Sequence, residues 1–273
     1  MKKCTFLCFL SVIMWVPNLM AFGQEQLPKT SNFWQELSGT VDLTYTSRYM
    51  AYGYDFGGGQ GAFQPSVTLD YHGWYLQFWT SFPDASGVVN GTELDYIFGY
   101  NKALFTDNWY ETDATFSYIY FDYPLSDSKA GLDGWEDGQE LSLSLSFPKL
   151  LSAIETSTFM PFCFMAYDWD GVQSGRNFDD GWLFDLGITY EFPIPSFLPH
   201  QKNQNASITI DTFYNDGAFG SSSGFSHGTV SVSTAIECFG FTLSPVLSFQ
   251  SSWEDSVHPK NVLYGGVSAS RTF

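Results

Sequence analysis

Basic residues are scarce in this 273-residue chain. Eleven Lys and Arg stand against 29 Asp and Glu, a formal charge of −18. Attraction to phosphate needs a basic patch, so nucleic acid is excluded as a partner. Charged residues of both signs together reach only 15%, against about 25% in an ordinary soluble domain. Cysteine is thin as well, four residues, which makes no disulfide framework. Beyond its first stretch the chain holds no run of about eighteen apolar residues, so no later segment crosses a bilayer as a helix. A Gly-X-Y period, a heptad repeat, a CxxC pair, an HExxH motif and a helix-opening phosphate loop are all missing, and no cofactor or metal is expected. What is plentiful is aromatic: 27 Phe, 16 Tyr and 9 Trp, 19% of the chain. That load excludes disorder. With 25 Gly and a mean hydropathy of −0.10, it suits a β protein, soluble or in an outer membrane.

The first 23 residues read as an address. Lys2 and Lys3 precede an apolar stretch from Cys4 to Val16, broken by Pro17. Ala21-Phe22-Gly23 puts small residues at −3 and −1 of a signal-peptidase site. The stretch is too short to span about 30 Å of hydrocarbon. The expected organisation is a signal peptide at 1–23, a periplasmic tail at 24–38 and one β-domain at 39–273. Of the remaining cysteines, Cys163 and Cys238 lie in apolar strand-like stretches, and a bridge or two buried thiols are both open.

Period-two patterning runs from Gly39 to Phe273. In Glu140-Leu141-Ser142-Leu143-Ser144-Leu145-Ser146 the leucines take one face and the serines the other. Twelve strands are expected, starting near Val41, Gln64, Trp74, Glu93, Trp109, Glu140, Thr158, Gly181, Ala206, Thr229, Phe241 and Val262. The connections sort into a longer set (Gly53–Ala62, Pro83–Gly91, Pro124–Gln139, Asp170–Asp180, Asn215–Gly228, Ser251–Asn261) and a mostly shorter set (His72-Gly73, Lys102–Asn108, Pro148–Ser157, Pro193–Asn205, Cys238–Gly240). Long external loops alternating with short periplasmic turns are the habit of outer-membrane barrels. A terminal strand ending in Phe273 resembles the signal read by the barrel-assembly machinery. On that strand Leu263, Gly265, Val267, Ala269 and Phe273 share a face; Arg271 shares it too and is expected to snorkel. Phe159, Tyr167, Trp169, Trp182, Tyr190, Phe192 and Tyr264 stand toward strand ends as aromatic girdles do. The competing reading is a secreted sandwich, whose strands also alternate. The chain-long alternation, the sorted connections and the terminal Phe favour an all-β, transmembrane, antiparallel up-and-down barrel in the outer membrane of a Gram-negative bacterium.

Thr44-Tyr45-Thr46-Ser47-Arg48-Tyr49-Met50-Ala51-Tyr52-Gly53 is similar to the opening strand of the TorF-family putative porins, outer-membrane proteins whose hallmark is roughly Ser-Asp-Tyr-x-x-Arg-Gly. Ser47, Tyr49 and Gly53 match in order; Arg48 stands at the family's Asp and Tyr52 at its Arg. Gln64–Tyr71 and Gly73–Ser81 look like the next two strands, so the close resemblance covers about Val41 to Ser81. It implies a barrel with a passive-channel role and no assigned substrate.

With the apolar wall turned outward, Asp42, Asp70, Asp95, Asp113, Asp185, Asp211 and Glu237 point inward, with Arg48 as a basic exception. Charge on the lipid face costs up to about 4 kcal/mol near the midplane, so parity places these groups in water. A lumen lined by one sign concentrates counter-ions, and a weakly cation-selective pore for small solutes is expected. The alternative is that these carboxylates sit near strand ends or pair with loop groups and select nothing. Twelve strands predict a narrow bore, with Pro124–Gln139 as the expected constriction. Two rival roles stand beside the channel: a plugged barrel acting through its external loops, and a lumen taking a small hydrophobic ligand against Trp79 and Phe121. No enzyme is expected. Gly220-Ser221-Ser222-Ser223-Gly224 satisfies the Gly-x-Ser-x-Gly expression but sits in a Gly/Ser-rich loop rather than on a strand-to-helix elbow. His72 falls at a turn, and His200, His227 and His258 fall in connections. The acids Glu136-Asp137, Asp168–Asp170 and Asp179-Asp180 read as loop carboxylates that match no calcium loop.

Overall fold

The computed structural model describes residues 33–84, 92–124, 137–151, 158–171, 179–198, 201 and 204–273. The expected signal peptide, most of the expected tail and most of the Pro124–Gln139 loop lie outside them. Twelve long strands form the wall: β1 (Ser38–Thr46), β2 (Ala62–Tyr71), β3 (Trp74–Pro83), β4 (Glu93–Leu104), β5 (Thr112–Asp122), β6 (Gly138–Ser146), β7 (Thr158–Asp170), β8 (Gly181–Ile194), β9 (Gln204–Asn215), β10 (Gly224–Thr234), β11 (Phe241–Ser252) and β12 (Val262–Thr272). Each pairs antiparallel with the next, and β1 pairs with β12 to close the ring, Thr40 opposite Thr272 and Thr46 opposite Gly266. Gly39 and Phe273 exchange backbone hydrogen bonds at 2.9 Å in both directions, so both ends of the barrel domain meet at one rim. Closure matters physically because a ring has no unpaired edge.

Alternation sets the two faces. On β6 Leu141 is exposed while Glu140, Ser142 and Ser146 are buried; on β10 Val230 and Val232 point out while Thr229, Ser231 and Ser233 point in. The same parity leaves Leu43, Phe78, Phe98, Leu186, Leu247 and Val267 exposed on the outside. That wall is greasy all the way round and crossed by charge mainly at its rims. At one rim Arg271 lies 5.5 Å from the centre of the Phe241 ring, a cation–π contact that keeps it at the barrel's end. Tyr264 departs from the girdle reading: it is buried inside, because it shares parity with Val262 and Ser268 rather than with Leu263.

The two rims differ. One carries connections 47–61, 84–92, 123–137, 171–180, 216–223 and 253–261, and is called the loop end below; the other carries both ends of the barrel domain and the remaining turns. At that terminal end His72-Gly73 closes the β2–β3 hairpin in two residues, both with positive φ (53° and 87°), as a turn matched to strand twist requires. One strand is irregular. Between Phe213 and Tyr214 the β9–β10 register shifts, so Ser226 is an extra residue and both Ser226 and His227 are buried. His227, expected in a connection, is therefore part of the wall of β10. Asp168 and Asp170, expected in a loop, lie at the end of β7, paired with Glu140 and Gly138, and the connection begins at Gly171.

Candidate functional site in the lumen

The feature that dominates the interior is not a strand. The connection 47–61 turns inward as a small hairpin, Met50–Ala51 against Tyr54–Asp55, with Tyr52-Gly53 at its tip. Its aromatic side chains fill the loop end of the barrel. Tyr49 stacks on Phe56 at 5.3 Å and meets Trp79 of β3 edge-on at 5.9 Å. Tyr52 lies 6.4 Å from Phe164 of β7 and 5.9 Å from Phe213 of β9, with Phe219 of the 216–223 loop at 6.0 Å. Val257 joins the same buried cluster from the 253–261 loop. The hairpin thus touches opposite sides of the ring at once.

Hydroxyls and carbonyls pin it. Tyr49 donates to Glu93 Oε2 at 2.5 Å, and Tyr123, just beyond β5, donates to Oε1 of the same carboxyl at 2.8 Å. Tyr52 donates to Glu140 of β6. Tyr54 donates to the Ala218 carbonyl at 3.2 Å and accepts from Asn215 Nδ2 at 3.3 Å. Gln250 of β11 donates to the Gly53 carbonyl at 2.9 Å. Burial first, and then the neighbouring Glu93 and Glu140 carboxyls, push the Tyr49 and Tyr52 hydroxyls well above the ordinary tyrosine range. Burial alone carries most of the rise of Tyr54, to about 12. All three therefore stay protonated donors at neutral pH.

The structure sorts the sequence-derived lumen residues into three groups. Asp95, Asp185 and Asp211 are buried and inward, on β4, β8 and β9. Asp42, Asp70 and Asp113 are inward but half-buried and nearer the terminal end; Asp42 accepts the Thr44 hydroxyl at 2.6 Å. Arg48 and Glu237 are elsewhere. Arg48 lies past the end of β1, because Ser47 leaves the ladder to bond Gly265, and it pairs with Asp55 of the hairpin at 3.0 Å. Glu237 is in a short ribbon (Ile236–Cys238) after β10, exposed, accepting from Thr242 at 2.9 Å. Trp79 and Phe121 do face inward, but they pack in the hairpin's aromatic cluster.

Four inward carboxyls escaped the sequence reading: Glu93, Glu140, Asp168 and, toward the terminal end of β8, Glu191. They share parity with Asp95, Ser142, Ala166 and Asp185 respectively, and that parity was the available signal. Toward the terminal end the lining turns small and hydroxylic, with Ser207 bonded to Ser233 at 2.9 Å, Ser231 to Ser248 at 2.8 Å and Thr189 to Thr209 at 3.0 Å. No Lys or Arg of the described strands shares the inward parity with these acids. Ser221 and Ser223 of the Gly/Ser loop bond the Ala218 carbonyl and Asp216, not a histidine. Cys163 and Cys238 are both free. Among the described residues no group of three or more His, Cys, Asp or Glu is arranged to hold a metal ion.

No family model matches the chain, and no curated protein sequence matches it. Solved structures do. The NanC porin superposes with a TM-score of 0.53 at 10% identity, covering 85% of this chain and 98% of its own. LpxR from Salmonella typhimurium gives 0.51 at 8% identity, covering 86% and 100%. An outer membrane channel from Pseudomonas putida F1 gives 0.48 at 14%, covering 87% and 95%. At such identities the likeness is one of fold: the chain is a closed, twelve-stranded antiparallel barrel of the outer-membrane type.

Proposed function

We propose that this protein is an outer-membrane channel for the passive entry of small solutes into a Gram-negative cell, with a weak preference for cations. The observation that carries the reading is the wall itself. Its outer face is a continuous apolar belt, while its inner face, beyond the aromatic cluster at the loop end, carries hydroxyls and carboxylates, with Asp95, Asp185 and Asp211 buried there and no basic residue of the described strands facing them. A protein with a packed interior has no use for such a lining, because buried carboxylates without partners are costly. A water-filled lumen does, and acids of one sign draw cations into it. The loop end then faces outward, and the terminal strand ending in Phe273 is the element offered to the assembly machinery. The resemblance of the first hairpin to TorF-family porins agrees with this role without selecting that family.

Planar-bilayer recording under a salt gradient tests the reading. Discrete steps with a reversal potential on the cation side are expected; absence of steps even after removal of the inward hairpin, or a clear anion preference, would refute it. One observation favours a second reading, a permanently closed barrel acting through its external loops: the hairpin fills the loop end. Liposome swelling separates the two, since a closed barrel admits no small sugars or amino acids. The hydrophobic-ligand reading loses its support, because Trp79 and Phe121 already pack in the cluster built around the Tyr49 and Tyr52 rings.

A further inference from the structure

We propose that the 47–61 hairpin is the channel's gate, and that its closure is coupled to proton uptake by the carboxyl groups it covers. The inference rests on the channel reading above. Beneath the hairpin lie Glu93 and Asp95 on β4, Glu140 on β6 and Asp168 on β7, each at most 2% exposed. Glu140 stands directly opposite Asp168 across the β6–β7 ladder, so their side chains share a face as nearest neighbours. Yet neither oxygen of Asp168 has a hydrogen-bond partner, and Glu140 takes the Tyr52 hydroxyl on Oε2 while its Oε1 is unpartnered.

Among the described residues the surroundings supply no countercharge. From the hairpin come Tyr49, Tyr52 and Tyr54; from the wall come Tyr75 of β3 and Tyr123 beyond β5. Farther round the ring are Asp185, Asp211 and His227, and at the rim Asp122 and Glu254. The hairpin's own cation, Arg48, is engaged by Asp55. An ionised carboxylate held dry without a partner is disfavoured by several kcal/mol, and two side by side are worse. With the hairpin in place this tier is accommodated as neutral acid. Ionised, it calls for water and counter-cations, and the space for them is the space that Tyr49 and Tyr52 occupy. The closed state therefore binds more protons than the open one, and each proton released on opening shifts the balance by up to about tenfold per pH unit toward open.

The latch chemistry fits a reversible gate. Three tyrosine hydroxyls and one Gln–carbonyl bond hold a two-stranded hairpin that on its own is marginal in water. Raising the pH adds repulsion under the hairpin without touching its aromatic contacts.

The test uses the mature protein in planar bilayers at about pH 5 and about pH 8, with three variants beside it. In the wild type open-channel events should rise at least about tenfold between the two. Glu93→Gln/Asp95→Asn/Glu140→Gln/Asp168→Asn, which keeps shape and removes the ionisation of all four groups, should change less than about twofold and stay mostly closed. Tyr52→Phe should open at lower pH than the wild type. A chain with residues 49–58 replaced by a short Gly-Ser linker should conduct at both. Migration on unboiled gels checks that each variant has formed its barrel. If the linker variant conducts while the wild type is indifferent to pH, or if the Gln/Asn variant keeps the full response, the gate is refuted and the channel stands. If the linker variant does not conduct, the channel reading falls and takes the gate with it.

Discussion

A single arginine on the outer face measures how deep that face lies in lipid. Leu186 is 60% exposed on β8 and sits midway between two outward aromatic residues of the same strand, Trp182 and Tyr190. Leu186 stands four positions along the strand from Trp182. At about 3.3 Å per residue they are about 13 Å apart along the strand, and a tilt near 40° leaves about 10 Å along the membrane normal. The apolar band of such barrels is about 25 Å tall, so Leu186 falls near its middle and Trp182 near its edge. Arginine then costs about 2–4 kcal/mol at 186 and about 0–1 kcal/mol at 182, each relative to alanine at the same position. The alanine reference removes the ring contact that Trp182 loses with Tyr167, 5.0 Å away. Reversible guanidinium unfolding of the protein folded into lipid vesicles, followed by tryptophan fluorescence, reads the four stabilities. Equal penalties at the two sites, or none at either, would mean that this face does not meet a bilayer.

Three further outcomes follow from particular contacts. A methyl on Gly99 would lie 2.5 Å from the Tyr75 ring and from the Phe116 carbonyl, so Gly99→Ala should cost about 1–3 kcal/mol by displacing a ring whose hydroxyl meets Ser117 at 2.6 Å; Tyr75→Leu in the same chain should restore part of it in the unfolding assay. Cys163 shares the outward parity of β7 while Cys238 lies in the ribbon at the terminal end, so a water-borne maleimide should label Cys238 in the folded protein and Cys163 only after unfolding, with reductant changing neither result. Gly53→Ala places a methyl 2.5 Å from His227 Nδ1 at a φ of +86°, and should raise open-channel frequency by dislodging the hairpin tip, leaving migration of the unboiled barrel unchanged.

The wall was legible because its rule is simple: one face meets lipid, the other does not, and side chains alternate. Gly181, Phe241 and Val262 open their strands where the alternation begins. The rule failed where alternation stops carrying information. Strand β10 starts at Gly224, five residues ahead of Thr229, because Gly224-Phe225-Ser226-His227-Gly228 does not alternate: its bulge at Ser226 turns two successive residues inward. Acids at strand ends were read as loop acids for a related reason. Asp168 belongs to the wall only because its partner Glu140 lies opposite, and pairing across a ladder is not visible in one strand's pattern. The hairpin at 47–61 was masked by its glycine run, Gly57–Gly61, which marks a loop and says nothing of where the loop goes.

Its destination is written in the residues ahead of that run. Tyr52 has a φ of +50°, a left-handed conformation that costs an aromatic residue of order 1–3 kcal/mol unless the surroundings demand it. They do: in that conformation its ring reaches Phe164 and Phe213 while its hydroxyl reaches Glu140. Gly53 completes the turn, lends its carbonyl to Gln250 and leaves room for the His227 ring, which a side chain there would strike. The two residues that bend the hairpin are thus the two that meet the far wall. A loop that merely collapsed into an empty lumen would have no reason to hold strain at its point of deepest contact. Strain kept there stores energy that withdrawal releases, so the turn that shapes the plug also lowers the cost of removing it.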